Sequence, residues 1–237
     1  MLIDKIKNMS FYINGLNTKT GQELVKTLSG YDTRLFLSDI NKEVLEKLKE
    51  KISEKNCEPY FLQVDIRDPY QVEGVINKAF KSLKTIDCAI NNFSLHTIPT
   101  NIIDCSVDYL VRTCMSSLSS VFTLMKYELS LLLGLQSKST IINIFSSNRE
   151  IDFVNSHATA AYLHAIKGLT LATSNSYANN GIVIKSFYVQ YGNRSVNKDP
   201  DWNNCYITDL AGPLENVINQ SISARVFETL LGAQADN

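Results

Sequence analysis

Two glycines, Gly15 and Gly21, stand six residues apart between a short apolar run and a stretch with helical spacing. A glycine turn between a strand and a helix lets backbone amides approach a pyrophosphate on the helix N-terminus. Lys19 lies between the two glycines. Its side chain would crowd a pyrophosphate at the point of closest approach, whereas its ammonium group would neutralise one. The spacing therefore indicates a phosphate-binding turn and leaves the effect of Lys19 open.

Acidic and amide residues follow the next three apolar runs. Asp39 comes 24 residues after the first glycine, where a carboxylate accepts hydrogen bonds from an adenosine ribose and repels a 2′-phosphate, favouring NAD over NADP. A helix cap beside Asn41 is an equal alternative for Asp39. Asp65 follows the third run, where a carboxylate can address an adenine edge. Asn91 and Asn92 end the fourth run and can stabilise the glycine turn.

The hydrophobic pattern that must position these residues alternates between short apolar runs and helical spacing. Six runs predict strands around residues 11–13, 35–37, 60–62, 88–90, 141–145 and 183–187. Parallel neighbours need a helical crossover, so the alternation predicts one α/β domain over 1–237 with a doubly wound sheet. Helices are expected over 107–133, 157–177 and 213–231, and the irregular stretch 191–210 is expected to be a binding loop or lid.

Composition narrows the class of protein. The 237 residues carry a net charge of −1, which argues against a polybasic nucleic-acid surface. No run approaches the roughly 18 apolar residues of a membrane span, and the N-terminus does not resemble a secretory signal. Five cysteines without a CxxC pair and three histidines make a metal site improbable. The expectation is a cytoplasmic protein with reduced cysteines, and with neither nucleic acid nor membrane as a partner.

In this order and spacing, the motifs resemble the short-chain dehydrogenase/reductase family from about Ser10 to Val189. The landmarks are the glycine turn, Asp65, Asn91-Asn92-Phe93-Ser94, Asn143-Ile144-Phe145-Ser146 and the helix Thr159–Thr170. The resemblance implies a three-layer Rossmann fold with a mainly parallel sheet of six or seven strands. It places a dinucleotide, NAD rather than NADP if either binds, at Gly15, Asn17, Gly21, Asp39, Asp65, Ile66 and Asn91.

The family's catalytic set is incomplete in this sequence. Ser146 matches the serine that orients the substrate, but Thr159 and Leu163 stand where the resemblance implies the proton-donating tyrosine and the lysine that lowers its pKa. Ser117 replaces the asparagine of the proton relay, and Val189-Gln190 replaces a Pro-Gly pair. A slipped register with Tyr162 and Lys167 is disfavoured, because residues five apart diverge by about 140° around a helix.

Three functions follow from these replacements. The first is a family member that has lost standard hydride transfer and serves as a binding or assembly component, with NAD as a possible ligand or with none. The second is an active NAD(P)-dependent oxidoreductase on a small carbonyl or alcohol, using Ser146 with an unusual donor such as Tyr162 or Tyr188. The third is a lyase or isomerase that uses the old pocket without redox chemistry.

The resemblance also implies pairing through the two long helices, as a homodimer or with a paralogue. Apolar residues within 107–133 are compatible with that role or with packing against the sheet: Leu110, Val121, Leu124, Met125, Leu129 and Leu132. The family's last strand and its Asp-Gly-Gly are not recognisable before Asn237. A dimer is therefore expected rather than the family's tetramer.

Overall fold

Seven parallel strands form a single sheet in the computed structural model, which describes residues 6–52, 57, 59–94, 101–135, 138–147, 157–190 and 204–206. The strands are β1 (Ser10–Asn14), β2 (Arg34–Asp39), β3 (Tyr60–Gln63), β4 (Cys88–Ser94), β5 (Ser139–Ser147), β6 (Ile182–Gln190) and β7 (Asn204–Tyr206). All six predicted strands are confirmed. Their β-branched and aromatic residues suit strands covered on both faces.

The strand order, β3-β2-β1-β4-β5-β6-β7, reverses direction between β1 and β4. Loops that leave these two neighbouring strands diverge to opposite sides and open a crevice at the carboxyl edge of the sheet. Register pairs Asn14 with both Ser38 and Asn91. The predicted Rossmann fold is therefore confirmed, and the glycine turn begins directly at the crevice.

Five α-helices within the described residues connect the strands: α1 (Lys19–Leu28), α2 (Lys42–Ile52), α3 (Pro69–Leu83), α4 (Val107–Leu135) and α5 (His157–Tyr177). Local chemistry sets where they begin. Thr18 caps α1, and Asp68 caps α3 just before Pro69, whose missing N–H costs nothing in the first turn. The bounds predicted for α5 are confirmed, and α4 runs two residues beyond its predicted end.

Two apolar clusters cover the two faces of the sheet. One lies against α1 and α2, and the other against α3, α4 and α5. Val121, Leu124, Met125, Leu129 and Leu132 of α4 belong to the second cluster. Of the two roles left open for these residues, packing against the sheet is the one observed, because they recur on the helical face that meets the strands.

Helix α4 is long and apolar enough to cross a membrane by length and composition, with a mean hydropathy of 1.3 in its most apolar window. That window is 39% buried inside the protein. Core helices of soluble proteins meet the same test, and α4 buries Glu128 together with its apolar residues against the sheet. The helix is thus weak evidence for a membrane span.

The stretch 191–210 was predicted to be irregular, and this is wrong for three of its residues. Asn204–Tyr206 forms β7, which pairs in parallel with Tyr188–Gln190 of β6. An open edge of β6 offers unpaired backbone groups, so even a short segment gains hydrogen bonds by adding to it. The seventh strand therefore precedes the predicted final helix over 213–231, which lies outside the described residues.

Candidate functional site

The glycine turn that follows β1 is closed in a way that only glycine permits. Gly15 has a φ of +84°, and a Cβ there would lie 1.8 Å from the backbone oxygen of Asn92. At Gly21, a Cβ would lie 2.4 Å from the backbone oxygen of Gly15. The first glycine makes the turn against β4, and the second lets α1 approach that turn.

Asn92, at the carboxyl end of β4, holds the turn in place. Its Nδ2 donates to the carbonyl oxygen of Gly15 at 2.5 Å and to Oγ1 of Thr18 at 2.7 Å. Thr18 Oγ1 in turn accepts the Gly21 N–H at 2.9 Å. The prediction that this strand end stabilises the turn is confirmed for Asn92. Side-chain bonds thus fix the start of α1, where an anion would meet the helix dipole.

The carboxylate of Asp39, buried at the end of β2, ties the second strand to the same turn. Its Oδ2 accepts the backbone N–H groups of Leu16 at 2.5 Å and Asn17 at 2.9 Å, and its Oδ1 accepts that of Asn41 at 2.7 Å. Asn41 itself caps α2, with its Oδ1 accepting from Glu43 N at 3.0 Å. Asp39 therefore fixes the loops that follow β1 and β2, and the residue that caps α2 is the nearby Asn41 rather than Asp39.

Asp65, after β3, is held by an arginine two residues later. Arg67 donates from Nε to Oδ1 at 2.8 Å and from Nη2 to Oδ2 at 2.6 Å. The Arg67 guanidinium holds the pKa of Asp65 below its usual range, mainly through this hydrogen bond. The acid that can face an adenine is thus ionised and partly neutralised by its own neighbour.

A cavity of about 440 Å³ extends from the glycine turn to the walls formed by α4 and α5. Five predicted cofactor residues line it: Gly15, Asn17, Asp39, Asp65 and Ile66. Gly21 lies behind the turn as a packing residue. Asn91 is fully buried and donates to Glu128 in the core, so its side chain points away from this cavity. Lys19 is exposed and lies outside the lining.

The far wall of the cavity brings together hydroxyl and aromatic groups. Ser116, Ser117 and Ser120 of α4 line it. Phe93 of β4 and Phe145 of β5 stack there, with ring centroids 5.2 Å apart and planes 11° apart. Aromatic faces beside hydroxyl groups offer flat contact surface with a few polar anchors.

Helix α5 contributes Tyr162 to this wall. Burial raises the pKa of Tyr162, and the neighbouring Cys114 and Tyr109 act in the same direction. Thr159 and Leu163 are 1% and 0% exposed, and neither belongs to the cavity lining. The helix thus presents a phenol whose proton is held more firmly than in water.

A family model described as short chain dehydrogenase matches residues 12–199. The chain belongs to the short-chain dehydrogenase family. The resemblance to this family of oxidoreductases, drawn from the sequence motifs, is therefore confirmed.

Curated relatives are distant. An uncharacterised oxidoreductase, YxbG, of Bacillus subtilis is 27% identical over 77% of this chain and 66% of its own length. A cyclohexanol dehydrogenase of an Acinetobacter species is 24% identical over 81% of this chain and 76% of its own. The match spans just under two thirds of the first relative.

Solved structures show the same fold. The crystal structure of an NAD⁺-bound xylitol dehydrogenase superposes with a TM-score of 0.70 at 20% identity, over 80% of this chain and 73% of that one. The described residues fit the same class of ligand, because the glycine turn stands at the start of α1 and Asn17, Asp39 and Asp65 line the cavity beside it. The family, a neighbour with NAD bound and this turn together support a nicotinamide dinucleotide as the cofactor class.

Thr159 and Leu163 are the residues that the sequence resemblance puts at the positions of the family's catalytic tyrosine and lysine. The structure places both in the interior, on a helix whose cavity-facing aromatic is Tyr162. Lys167, the partner of Tyr162 in the slipped register, is exposed and outside the lining. The two residues of that alternative pair are therefore not brought together at the cavity.

Ser146 lies in β5 with its backbone paired to Ser94 of β4 and Val189 of β6. This register puts it at the cavity edge of the sheet. The side chains of Ser146, Tyr188, Val189 and Gln190 lie outside the described residues. The family's serine position is thus located by backbone alone, and Ser117 is in the wall where the relay asparagine is expected.

Sequence reasoning missed several cavity residues. Thr18 accepts a hydrogen bond from Gly21, and Arg67 donates to Asp65, so each contacts a residue that the sequence predicts as cofactor-binding. A threonine three residues before a glycine at the start of a helix is a recognisable capping signal. Phe93 and Phe145 entered the sequence comparison only as members of motif segments, although two large residues at neighbouring strand ends point to a filled wall. In the part of the chain that is described, no group of three metal-ligating side chains forms.

Proposed function

We propose that this chain is a short-chain dehydrogenase family member that binds a nicotinamide dinucleotide but has lost the standard tyrosine–lysine hydride transfer. In this proposal it serves as a binding or assembly component. The observation that carries it is the contrast between a glycine turn held by Asn92 and Asp39 and a fully buried leucine at the lysine position.

Hydride transfer at a carbonyl needs a group that exchanges a proton near the operating pH. A lysine beside a phenol lowers the phenol's pKa by opposite charge. Leu163 supplies no charge, and the threonine at position 159 has a hydroxyl far from the acidity required. The environment of Tyr162 raises its pKa further from neutrality. These features support the loss of standard catalysis.

Asp39 supports NAD over NADP. Its carboxylate lines the cavity while accepting three backbone N–H groups, which hold it in one orientation. A fixed negative charge at this edge would repel a 2′-phosphate and still accept ribose hydroxyls.

Paired binding and turnover measurements test the proposal. Calorimetric titration with NADH is expected to give saturable binding, weaker with NADPH. A spectrophotometric assay with NAD⁺ and a panel of secondary alcohols, including cyclohexanol, is expected to show no hydride transfer. Steady turnover by the wild type would overturn the loss of catalysis, and the absence of NADH binding would overturn dinucleotide binding.

A second candidate function is favoured by the position of Tyr162. Because this phenol lines the cavity, we also consider an active oxidoreductase in which Tyr162 replaces the family's tyrosine together with Ser146. Tyr162→Phe removes the hydroxyl with little change in shape. Turnover in the wild type that disappears in Tyr162→Phe, with NADH affinity unchanged, would select this function over the first.

We propose in addition that the chain pairs with a second copy, or with a paralogue, through α4 and α5. Exposed apolar residues at helical spacing along α4 support this: Val107, Val111, Met115 and Phe122, with Leu171 on α5. Phe122→Glu is expected to yield monomers in light scattering at micromolar concentration, whereas Tyr70→Glu, at an exposed site on α3, is expected to leave the dimer intact. A monomeric wild type would refute pairing between identical chains.

A further inference from the structure

A carboxyl group is buried beneath the strand that carries the glycine-turn amide. Glu128 of α4 is 2% exposed and faces Asn91 of β4, which is 0% exposed. Asn91 Nδ2 donates to Glu128 Oε2 at 3.0 Å and to Asn143 Oδ1 at 3.1 Å. Asn143 Nδ2 donates to the Met125 sulfur at 3.4 Å. These contacts form a polar chain between the sheet and α4.

Within this set of hydrogen-bonded side chains, two oxygens lack a hydrogen-bond partner among the described residues: Asn91 Oδ1 and Glu128 Oε1. The amide orientation of Asn91 is fixed, because its nitrogen serves two acceptors with its two hydrogens. Both orphaned atoms are therefore acceptors when Glu128 is ionised. Buried acceptors without donors destabilise the fold, and each calls for an explanation.

One proton satisfies both atoms. We propose that Glu128 is a neutral carboxylic acid in the folded protein at neutral pH, and that its Oε1–H donates to Asn91 Oδ1. The acid and the amide then form a ring of two hydrogen bonds, one in each direction. A carboxylic acid that stays neutral so that it can donate is an established device of apolar sites.

The surroundings of Glu128 agree with a neutral acid. Burial raises its pKa to about 8, against the smaller opposite effect of the Asn91 hydrogen bond. The titratable groups that face it are Tyr12 on β1 and Cys88 on β4, and Asp87 lies beside Cys88. On β5 and α4, the Asn143 amide and the Met125 sulfur are linked to Glu128 through Asn91. All three titratable neighbours are neutral or negative, so none favours an ionised Glu128.

The proton links folding to pH. A glutamate has a pKa of about 4.5 in the unfolded chain and about 8 here, so the folded state holds the extra proton between these values. The stabilisation is complete below about 4.5 and is lost as the pH rises through about 8. Within that window the unfolding equilibrium constant is expected to rise about tenfold per pH unit from this group alone.

The matched variant is Glu128→Gln, whose amide can donate to Asn91 Oδ1 and accept from its Nδ2 at every pH. Urea unfolding from pH 5 to pH 9 is expected to show the wild type losing stability relative to Glu128→Gln by about tenfold per unit until about pH 8. Glu46→Gln, at an exposed site on α2, is expected to show no such slope difference. Equal slopes in the wild type and Glu128→Gln would overturn the proposal.

The wild type alone gives a second test, which does not require the variant to fold. Carbon-13 NMR of protein labelled at the glutamate carboxyl carbons is expected to show one resonance that stays in its protonated position at pH 7. That resonance is expected to titrate near pH 8. If every folded-state glutamate titrates near its ordinary pKa, Glu128 is ionised and the proposal is wrong. Both tests are independent of whether a dinucleotide binds.

Discussion

The two ends of the cavity have been kept in different ways. At one end, Gly15, Thr18 and Asn92 form a closed set of backbone and side-chain hydrogen bonds. At the other, α5 carries the buried residues Thr159 and Leu163, which we propose stand where the family has its reacting pair. The first end is fixed by geometry, and the second, in our proposal, lacks the standard chemistry.

The difference has a physical origin. The residues of the turn serve the fold as well as any ligand, because a side chain at Gly15 would overlap Asn92. The proposed replacement of a tyrosine and a lysine by threonine and leucine is compatible with an intact helix and core, since both residues are buried and Leu163 belongs to the apolar cluster on that face of the sheet. A fold can therefore outlast its activity.

The largest expected effect comes from disrupting the glycine-turn end of the cavity. Gly15→Ala places a methyl group in contact with the Asn92 backbone at a positive φ, and is expected to cost about 3–5 kcal/mol of unfolding free energy or to prevent folding. Gly74→Ala in α3 is the control, because its added Cβ meets open space. It is expected to be neutral or stabilising by up to about 1 kcal/mol in urea unfolding.

Asn92→Ala removes the amide that holds the turn without adding bulk. The Gly15 carbonyl and the Thr18 hydroxyl then lose a donor, and the expected cost is about 1–3 kcal/mol of stability. NADH affinity is expected to fall at least tenfold, because the start of α1 is no longer fixed. Asn77→Ala, at an exposed site on α3, serves as the control. Equal NADH affinities in the two variants would show that the turn does not govern binding.

Asp39→Asn tests whether charge at the end of β2 selects the cofactor. The substitution keeps the side-chain size, removes the negative charge and replaces one acceptor oxygen by a donor, so part of the backbone N–H set is lost and the affinity for both cofactors is expected to fall. Because only NADPH carries the 2′-phosphate, the ratio of NADPH to NADH affinity is expected to rise by about tenfold, a free-energy difference of about 1.4 kcal/mol. Competition calorimetry measures this ratio. The exposed Asp32, paired with Lys7 at 3.8 Å, gives the control variant Asp32→Asn. An unchanged ratio would remove Asp39 from cofactor selection.

Arg67→Ala is expected to have the smallest effect. Loss of the guanidinium lets the pKa of Asp65 return upward toward its ordinary value. Because the pair lowers that pKa in the folded state, its contribution is present above about 3.8 and disappears as the pH falls through the folded-state value. Side-chain carboxyl NMR detects the shift, and Arg112→Ala, which breaks the exposed pair with Asp108, should leave Asp65 unchanged. A pKa for Asp65 that is equal in the two variants would contradict the assignment.

The sequence predicts the fold and the position of the turn because both depend on local patterns. Six apolar runs, two glycines six apart and the helix over 157–177 are each recognisable without knowledge of distant contacts. Contacts between residues distant in the sequence could not be predicted in the same way. The Asn91 side chain turns toward Glu128 rather than the cavity, and residues 204–206 add to an open strand edge. The orientation of Asn91 and the pairing of residues 204–206 both depend on partners far away in the sequence, so local patterns do not predict them.

The cavity wall shows the same limit at the site itself. In an α-helix, residues three apart diverge by about 60° around the axis, so Tyr162 does not share the direction of Thr159, yet Tyr162 is the one of the two that lines the cavity. A long aromatic side chain reaches across that angle, whereas threonine does not. The packing around α5, which the sequence does not reveal, decides which residue meets a ligand.

Calorimetric titration of the cofactor-free wild type and Asn92→Ala with NADH tests the central claim most directly, namely that the turn end of the cavity still binds a dinucleotide. We predict saturable binding to the wild type in the micromolar range and at least tenfold weaker binding to Asn92→Ala. The absence of heat with the wild type up to millimolar NADH would contradict the account, because it would mean that both ends of the cavity have lost their function.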